Sequence, residues 1–254
     1  MNIWTDVINW LADPANWSGH DGVWQRILEH LQYSGFAMLI AAVLSIPLGL
    51  VLGHFNRGAI VVIALANSIR ALPTLGVLTL MVISVGIGIV PPLIALIIIA
   101  VPPMLVNAFE GVRAVDPTVV DASRGMGFSR IRVLFQVQTP NAFPLIILGI
   151  RLAAIQVVST ATIAAYVGLG GLGRFIFDGL ARQEYDLVAA GAVLAAVLAI
   201  ATELFFIALK AFLVSPGVQR QPRPLTKLFS FQAKTPATNR TTRTLEKSGG
   251  QINA

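Results

Sequence analysis

The 254-residue sequence contains no cysteine, and its three histidines, His20, His30 and His54, are too scattered to form a metal site. Without cysteine the chain has no disulfide, no thiol nucleophile, no iron–sulfur cluster and no cysteine-ligated zinc. Charged residues are also scarce, at 12% of the chain, whereas 56% of the residues are hydrophobic. A soluble domain of this length does not have that balance, so the composition predicts a polytopic membrane protein.

Enzyme signatures are missing as well. The sequence has neither a nucleophile–base pair nor a metal-ligand cluster, so we predict no catalytic residue, no metal and no cofactor bound by this chain. The net charge of +6 comes from residues 210–254, which hold eight Lys or Arg and one Glu, while residues 1–209 hold ten Lys or Arg and eleven Asp or Glu. A basic tail of this kind does not indicate a nucleic-acid partner.

Five apolar stretches are candidates for crossing the roughly 30 Å hydrocarbon core of a bilayer, which places the chain in the all-α class. These predicted spans are residues 33–53, 71–88, 91–108, 143–167 and 187–209. Residues 58–69 are also apolar, and we predict an interfacial or partly inserted helix there. The division between residues 70 and 73 keeps Arg70 near the membrane surface, because a cation at mid-bilayer costs about 3 kcal/mol.

The connections between the spans predict the orientation. The 54–57 turn, the 110–140 connection and the tail hold one, four and eight Lys or Arg, which by the positive-inside rule places the N-terminus outside and the C-terminus inside. Residues 1–32 then form an extracytoplasmic, interfacial segment with a short amphipathic helix that ends at Pro14. Residues 213–254 are predicted as a disordered basic cytoplasmic tail, which either contacts membrane lipid or only anchors the topology.

Residues 116–140 have the pattern of a helix, a turn and a second helix. Asp116 and Pro117 are a typical helix start, since Asp caps free N–H groups and Pro fits the first helical position. The first helix is predicted over 117–126, with Gly125 and Gly127 permitting a tight reversal. The segment is tied to membrane spans at both ends and is not notably basic, so docking to a cytoplasmic protein suits it better than DNA binding.

The second helix of this segment is predicted to begin at Ser129, which caps it, and to stop before Pro140. Its apolar residues Ile131, Leu134 and Phe135 follow helical spacing.

A glycine-rich stretch, GLGGLGR at 168–174, lacks the lysine and the preceding βαβ pattern of a nucleotide-binding loop. Its glycines either permit non-helical backbone along a gate or pathway, or only allow close helix packing. The gate or pathway candidates are Pro73, Thr74, Ser159, Thr160, Gly168, Gly170, Gly171 and Gly173. For the hydroxyl side chains the alternative is a hydrogen bond to their own helix backbone.

Two charged residues lie within or near the predicted spans. Arg151 is about two turns into the fourth span, and Glu203 is toward the inner end of the fifth. Because intramembrane charges generally face a partner or a wet cavity, we predict an Arg151–Glu203 pair, with Glu203 reaching the interface as the alternative.

Residues 121–140 also carry a recognisable spacing. Asp121, Ala122 and Ser123 are followed by Gly127 and, after nine residues, by a sequence VQTP that ends at Pro140. This resembles the EAA loop of permease subunits of binding-protein-dependent ABC importers, which reads EAA, three residues, Gly, nine residues and I-x-L-P. The differences are Asp for Glu, Ser for the second Ala, Val for Ile and Thr for Leu.

The resemblance extends over residues 67–78 and 149–180, and it implies the type I ABC importer permease fold in the bacterial cytoplasmic membrane. Residues 110–151 are similar to permeases for osmoprotectants such as glycine betaine, carnitine, choline and proline betaine. Methionine importer permeases share the architecture and a VGLGGLG-like segment, so methionine or another amino acid is the alternative cargo. A membrane scaffold without transport is the alternative from another class.

The same resemblance implies the partners and a role for the 111–142 loop. The partners are ABC ATPase subunits that bind ATP and Mg²⁺, a second permease subunit in a homo- or heterodimer, and an extracytoplasmic solute-binding protein. The short helix presents Asp121, Ser123 and Arg124 to a groove on the ATPase and moves as a rigid lever. The predicted coupling residues are Asp121, Ala122, Ser123, Arg124, Gly125, Gly127 and Pro140.

Overall fold

The computed structural model describes residues 3–55 and 58–213, and this part of the chain consists of helices and turns without a strand. The helices in chain order are α1 (Ile3–Ala12), α2 (Val23–Phe55), α3 (Ala59–Ala71), α4 (Thr74–Val85), α5 (Val90–Arg113), α6 (Pro117–Gly125), α7 (Arg130–Val133), α8 (Thr139–Ala164), α9 (Gly173–Arg182) and α10 (Tyr185–Leu213). The tail predicted for residues 213–254 lies, after Leu213, outside the described residues.

Four helical stretches are long and apolar enough to cross a membrane. They are α2, α5, the continuous helical stretch Arg130–Val167 that includes α8, and α10. Each contains one predicted span, so the spans at 33–53, 91–108, 143–167 and 187–209 are confirmed. The helix α2 is longer than its span, because it begins at Val23 and its 33 residues extend for about 50 Å at 1.5 Å per residue.

The predicted second span, 71–88, is wrong as a straight helix. The helix α4 has 12 residues, about 18 Å at 1.5 Å per residue, which is too short to cross alone. It forms a broken pair with α3, bent by 89°. The break lies where the sequence predicted a division, because Pro73 forces the preceding Leu72 out of the helical region, to ψ 131°. With this pair counted as one crossing, the described residues have up to five spans.

The helix α5 forms the centre of the bundle, between α2 and α8. Of the 18 most apolar consecutive residues of α5, 61% are buried, whereas for α10 the share is 6%. The helix α10 therefore lies at the periphery of the bundle. The approach of α2 to α5 is close because α2 has glycine at the contacts. A Cβ atom at Gly49 or Gly53 would lie 2.7 Å from the carbonyl oxygen of Leu105 or Phe109, respectively. Small residues at such positions let membrane helices pack backbone to backbone.

The amphipathic helix predicted before Pro14 is confirmed as α1. It packs against α10 with Val7 buried. The Trp10 ring packs edge-on against the Phe175 ring of α9, with 5.4 Å between the ring centroids. Trp4 and Ile8 are exposed on the opposite face. The position of α1 in the membrane interface stays a prediction.

Candidate functional site

The first candidate site is the coupling segment, residues 116–140, and its first helix has the predicted form. The helix α6 begins with Asp116 as its cap, whose carboxylate accepts hydrogen bonds from the backbone N–H and the hydroxyl of Thr118 at 2.9 and 2.8 Å. Pro117 occupies the first turn, where the absence of an N–H group costs nothing. The helix ends at Gly125, one residue before the predicted end.

The reversal after α6 depends on one glycine rather than two. Gly127 has a φ of +83°, and the N–H groups of Gly127 and Phe128 donate to the carbonyls of Arg124 and Ser123 at 2.9 and 3.2 Å. This is the hydrogen-bond pattern of a Schellman turn, which requires a left-handed residue at that position. Gly125 is an ordinary helical residue, so the prediction that it helps to make the reversal is wrong.

The second helix of the segment begins as predicted, with Ser129 accepting a hydrogen bond from the N–H of Arg132 at 3.3 Å. The prediction that it stops before Pro140 is wrong. A π-turn over Leu134–Gln138 joins α7 to α8, and the Thr139 hydroxyl donates to the Leu134 carbonyl at 2.9 Å. A proline is disfavoured within a helix because it lacks an N–H group and clashes with the carbonyl four residues earlier, and the wider π-turn accommodates it. The coupling segment is thereby continuous with a membrane span.

The predicted coupling residues divide into an exposed and a buried group. The side chains of Asp121 and Arg124 are 74% and 51% exposed. On α6, a guanidinium nitrogen of Arg124 lies 3.5 Å from a carboxylate oxygen of Asp121. Ser123, in contrast, is buried, and its hydroxyl donates to the Val119 carbonyl at 2.7 Å. The prediction that Ser123 faces a partner is therefore wrong, because this face of α6 packs against the protein. The remaining predicted residues, Ala122, Gly125, Gly127 and Pro140, are exposed.

A cleft of about 260 Å³ lies where α6 meets the ends of α2 and α5. Asp121 and Arg124 line it together with Gly53 of α2 and Gln138 of the π-turn. The Nδ1–H group of His54, at the end of α2, donates to the side-chain carbonyl of Gln138. The coupling segment is thus connected to α2 by a side-chain hydrogen bond that the sequence did not reveal.

The second candidate site is the glycine loop, residues 168–172, between α8 and α9. The prediction of non-helical backbone here is confirmed, since a 3₁₀ turn ends at Val167 and α9 begins only at Gly173. Gly168 and Gly171 have φ of +96° and +88°. A Cβ at Gly173 would lie 2.0 Å from the Thr162 carbonyl, so this glycine is required by close packing.

The glycine loop is held by Glu29 and His30, two residues of α2 that the sequence analysis did not single out. The Glu29 carboxylate accepts the N–H of Gly171 at 2.9 Å, and Nδ1 of His30 accepts the N–H of Leu172 at 3.3 Å. Helical spacing could have indicated His30. The buried positions 23, 30, 34, 37 and 41 form one stripe of α2, and this stripe extends beyond the predicted span.

The other gate or pathway candidates lie on helices near this loop or at the break before α4. Pro73 precedes Thr74 at the start of α4, and α4 packs against α8 and the 165–167 turn. On α8, Thr160 is buried and Ser159 is exposed. Ser84, a further hydroxyl residue on α4, donates to its own helix at the Leu80 carbonyl, 2.7 Å away, which is the alternative expected for hydroxyl side chains.

Arg151 and Glu203 are brought together by the packing of α8 against α10. The Nε of Arg151 donates to one carboxylate oxygen of Glu203 at 2.9 Å, and a terminal guanidinium nitrogen contacts the other oxygen. The two side chains are 26% and 30% exposed, so the pair is partly buried within apolar helices. A bidentate arrangement of this kind neutralises both charges without a third partner.

These features define a helical membrane protein with an exposed segment that is continuous with one of its membrane spans. Comparison with known proteins identifies the family. Residues 23–219 match the family described as "Binding-protein-dependent transport system inner membrane component". The chain belongs to this family. It is a multi-pass subunit of a transport system of the bacterial inner membrane, works with an ATPase and a binding protein, and is not an enzyme.

Several curated proteins are similar over most of the chain. A carnitine transport permease of Listeria monocytogenes is 35% identical over 195 residues, covering 77% of this chain and 89% of the relative. A choline transport system permease of Bacillus subtilis is 33% identical over 195 residues, covering 77% and 90%. A glycine betaine/proline betaine permease of Escherichia coli is 32% identical over 182 residues, covering 72% of this chain and 51% of the relative.

Among solved structures, an inward-facing methionine ABC transporter is similar in fold. It superposes with a TM-score of 0.66 at 19% identity, covering 76% of this chain and 96% of that chain. The type I importer permease fold is therefore confirmed.

Proposed function

We propose that this chain moves a quaternary-ammonium solute, such as glycine betaine, carnitine, choline or proline betaine, through the membrane as part of an ATP-driven importer. The observation that carries this proposal is the agreement among the relatives, since those with 33–35% identity are named as carnitine and choline permeases. Carnitine, choline and glycine betaine share a trimethylammonium group. The common chemistry of the cargo is therefore a quaternary ammonium group, which is positively charged and has no hydrogen-bond donor on its nitrogen.

Methionine or another amino acid is the second candidate cargo. Its support is the likeness to the methionine transporter, which at 19–20% identity concerns the fold alone. A scaffold that recruits a partner without transport has less support, because the family consists of transport components.

The coupling segment is the proposed docking site for the ATPase. Its exposed surface combines the charged pair Asp121 and Arg124 with the apolar side chains of Met126 and Ile131, which are 69% and 72% exposed. Exposed apolar side chains on a cytoplasmic loop are typical of a protein interface. Buried Val120 holds the other face of α6 against the protein, so α6 moves as one body with the groups that line the cleft.

Two connections transmit the proposed movement from α6 into the membrane. One is the uninterrupted helical stretch from Arg130 to Val167, which includes α8. The other is the hydrogen bond between Gln138 and His54, which reaches α2. ATP-driven closure of the ATPase would in this way tilt α2 and α8 together and alternate the access of the pathway.

The pathway itself is proposed to pass the glycine loop, with Gly168, Gly170, Gly171 and the adjoining Gly173 of α9 as the gate. Pro73, Thr74, Ser159 and Thr160 are further candidates for contact with the solute. The packing of α4 against α8 and the 165–167 turn supports this grouping. The Arg151–Glu203 pair is proposed to stabilise the contact of α8 with α10.

The proposed assembly contains two permease subunits, identical or related, on two ATPase subunits, with the binding protein outside. The N-terminus lies outside and the C-terminus inside in this arrangement. Its support is the excess of Lys and Arg in the connections assigned to the cytoplasm.

The substrate class is tested by uptake in a deletion strain that expresses the complete importer. We expect labelled glycine betaine to accumulate at high osmolarity, and unlabelled choline or carnitine to compete for uptake. A transporter that instead takes up labelled methionine and ignores the quaternary-ammonium solutes would establish the second candidate.

A further inference from the structure

Glu29 and His30 are neighbours on α2 and bind neighbouring N–H groups of the glycine loop. Glu29 accepts from Gly171 at 2.9 Å, and His30 accepts through Nδ1 from Leu172 at 3.3 Å. Two consecutive side chains of one helix thus satisfy two consecutive backbone donors that have no helical partner. Buried backbone N–H groups need such acceptors, so the loop depends on α2 for its position.

His30 also joins the loop to α8. Because Nδ1 accepts a hydrogen bond, the ring carries its proton on Nε2, and this group donates to the Val158 carbonyl at 2.9 Å. The residue is 1% exposed. One buried imidazole therefore connects α2, α8 and the glycine loop, with both ring nitrogens in use.

The Glu29 carboxylate is held in place by an ion-pair chain. Arg26 donates to it at 2.9 Å and to Asp21 at 2.6 Å. The side chains of Arg26 and Glu29 are only 13% and 16% exposed. A carboxylate that is fixed and charged before it meets the Gly171 N–H makes a stronger hydrogen bond than a neutral acceptor.

Two glycines of the loop, Gly170 and Gly171, lie directly beside the Glu29 and His30 side chains. A Cβ at Gly170 would lie 2.3 Å from the Glu29 carboxylate, and a Cβ at Gly171 would lie 3.0 Å from Nδ1 of His30. Gly171 also has a φ of +88°. The glycine pattern and the two α2 residues are therefore parts of one arrangement.

This arrangement is at the far end of α2 from the coupling segment. Along the helix, 24 residues separate His30 from His54, about 36 Å at 1.5 Å per residue. His54 donates to Gln138 of the coupling segment, so α2 binds the coupling segment near one end and the glycine loop near the other.

We propose that Glu29 and His30 are positioning residues that latch the glycine loop to α2, so that the loop opens only when α2 moves. The proposal rests on the proposed function, because it assigns the latch to the gate of that transporter. Loss of either acceptor leaves a loop N–H unpaired in the closed state and shifts the loop toward an open state while the coupling segment is at rest.

The latch is tested on the complete importer with its ATPase and binding protein in proteoliposomes. Because this chain has no cysteine, Leu169→Cys places a single thiol on the loop, at a residue that is 1% exposed. We expect Glu29→Ala or His30→Ala to raise the rate of labelling of this thiol by a water-soluble maleimide by about tenfold, the effect of losing one buried hydrogen bond. Glu29→Gln keeps an acceptor without the charge, and it should give an intermediate rate.

A second measurement requires no thiol. With cysteine-free chains, Glu29→Ala should raise the ATP hydrolysed per solute transported, whereas a variant that only folds poorly lowers hydrolysis and transport together. Gly170→Ala should have the same effect, since its methyl group displaces the Glu29 carboxylate. The double variant should be no worse than either single variant, because both act on one contact.

Glu184→Gln, which neutralises an exposed carboxylate in the connection before α10, serves as the control and should resemble the parent chain. Labelling rates and ATP-to-solute ratios equal to the parent in Glu29→Ala and His30→Ala would overturn the latch, as would additive effects in the Glu29→Ala, Gly170→Ala pair. A parent importer that transports no quaternary-ammonium solute would instead overturn the proposed function.

Discussion

At the scale of single residues, Gly127 is the position where the backbone itself limits what the coupling segment tolerates. Its φ of +83° is required by the turn after α6, and nothing lies within 4 Å of where a Cβ would be. The restriction is therefore conformational and not steric crowding, so substitution should distort the turn without disturbing the bundle.

We expect Gly127→Val to abolish the stimulation of ATP hydrolysis by loaded binding protein while the chain still inserts in normal amounts. A β-branched residue in the left-handed region costs about 1–2 kcal/mol, which is enough to change the path of the turn. Gly35→Ala is the control, because Gly35 is helical and open, and it should couple normally. Transport that survives in Gly127→Val would contradict the role of α6 as a lever.

The Arg151–Glu203 pair permits a test by charge exchange. We expect Arg151→Gln or Glu203→Gln to reduce uptake by about tenfold, since an unpaired, partly buried charge costs more than 1 kcal/mol. The exchange variant, with Glu at 151 and Arg at 203, should recover much of the uptake. Asp178→Asn, which breaks a more exposed pair with Arg174 on α9, should have little effect. Additive damage in the exchange variant would show that the two charges act separately.

At the scale of elements, α6 is a short helix that depends on its cap. It has nine residues, too few for a helix to be stable without capping or tertiary contacts. Two of its residues, Val120 and Ser123, are buried, so little packing compensates for a lost cap.

We expect Asp116→Ala to destabilise α6 by about 1 kcal/mol, because the Thr118 N–H loses its acceptor. Faster amide exchange of residues 118–120 in the purified importer would show this, with α8 unchanged. Asp116→Asn keeps a capping oxygen and should exchange like the parent. Equal protection in the Ala variant would mean that packing alone holds the helix.

The prolines show which elements the sequence predicts and why others are missed. Pro73 interrupts a helix as expected, because it acts on the residue before it, and that effect is local. Pro140 does not end its helix, because a π-turn supplied by the neighbouring residues accommodates it. The 89° bend between α3 and α4 depends on packing against α5 and α8, so the sequence located the break but not its angle.

In the candidate sites, too, features set by neighbouring residues were predicted, and features set by packing between distant residues were not. The cap at Asp116, the turn at Gly127 and the start at Ser129 are set by neighbouring residues, and all three were predicted. The contacts of Glu29 and His30 join residues more than a hundred positions apart and could not be read from local patterns. The burial of Ser123 is likewise a consequence of where α6 packs.

At the scale of the whole molecule, the proposed orientation can be tested because the chain has no cysteine. Ser18→Cys lies in the connection between α1 and α2, and Met126→Cys lies on the exposed surface of the coupling segment. We expect a membrane-impermeant maleimide to label Ser18→Cys in right-side-out vesicles that contain this chain without its ATPase, and Met126→Cys only after the vesicles are opened. The reverse pattern would invert the topology and remove the coupling segment from the ATPase.

In the described part of the chain, two long helical connections link the exposed coupling segment to the glycine loop that we propose as the gate. One is the stretch 130–167 that leads from the coupling segment to the glycine loop, and the other is α2, which contacts both. The core helix α5 lies between α2 and α8 and supports both. If α6 is the docking site for the ATPase, as we propose, its movement reaches the glycine loop through these helices and needs no direct contact between the ATPase and the loop.

The most direct test of this account is transport by the purified importer in proteoliposomes. We predict that labelled glycine betaine accumulates only when ATP and loaded binding protein are both present, each on its own side of the membrane, and that accumulation stops in Gly127→Val while the amount of assembled importer stays the same. Accumulation that needs no ATP, or that continues unchanged in Gly127→Val, would contradict the account.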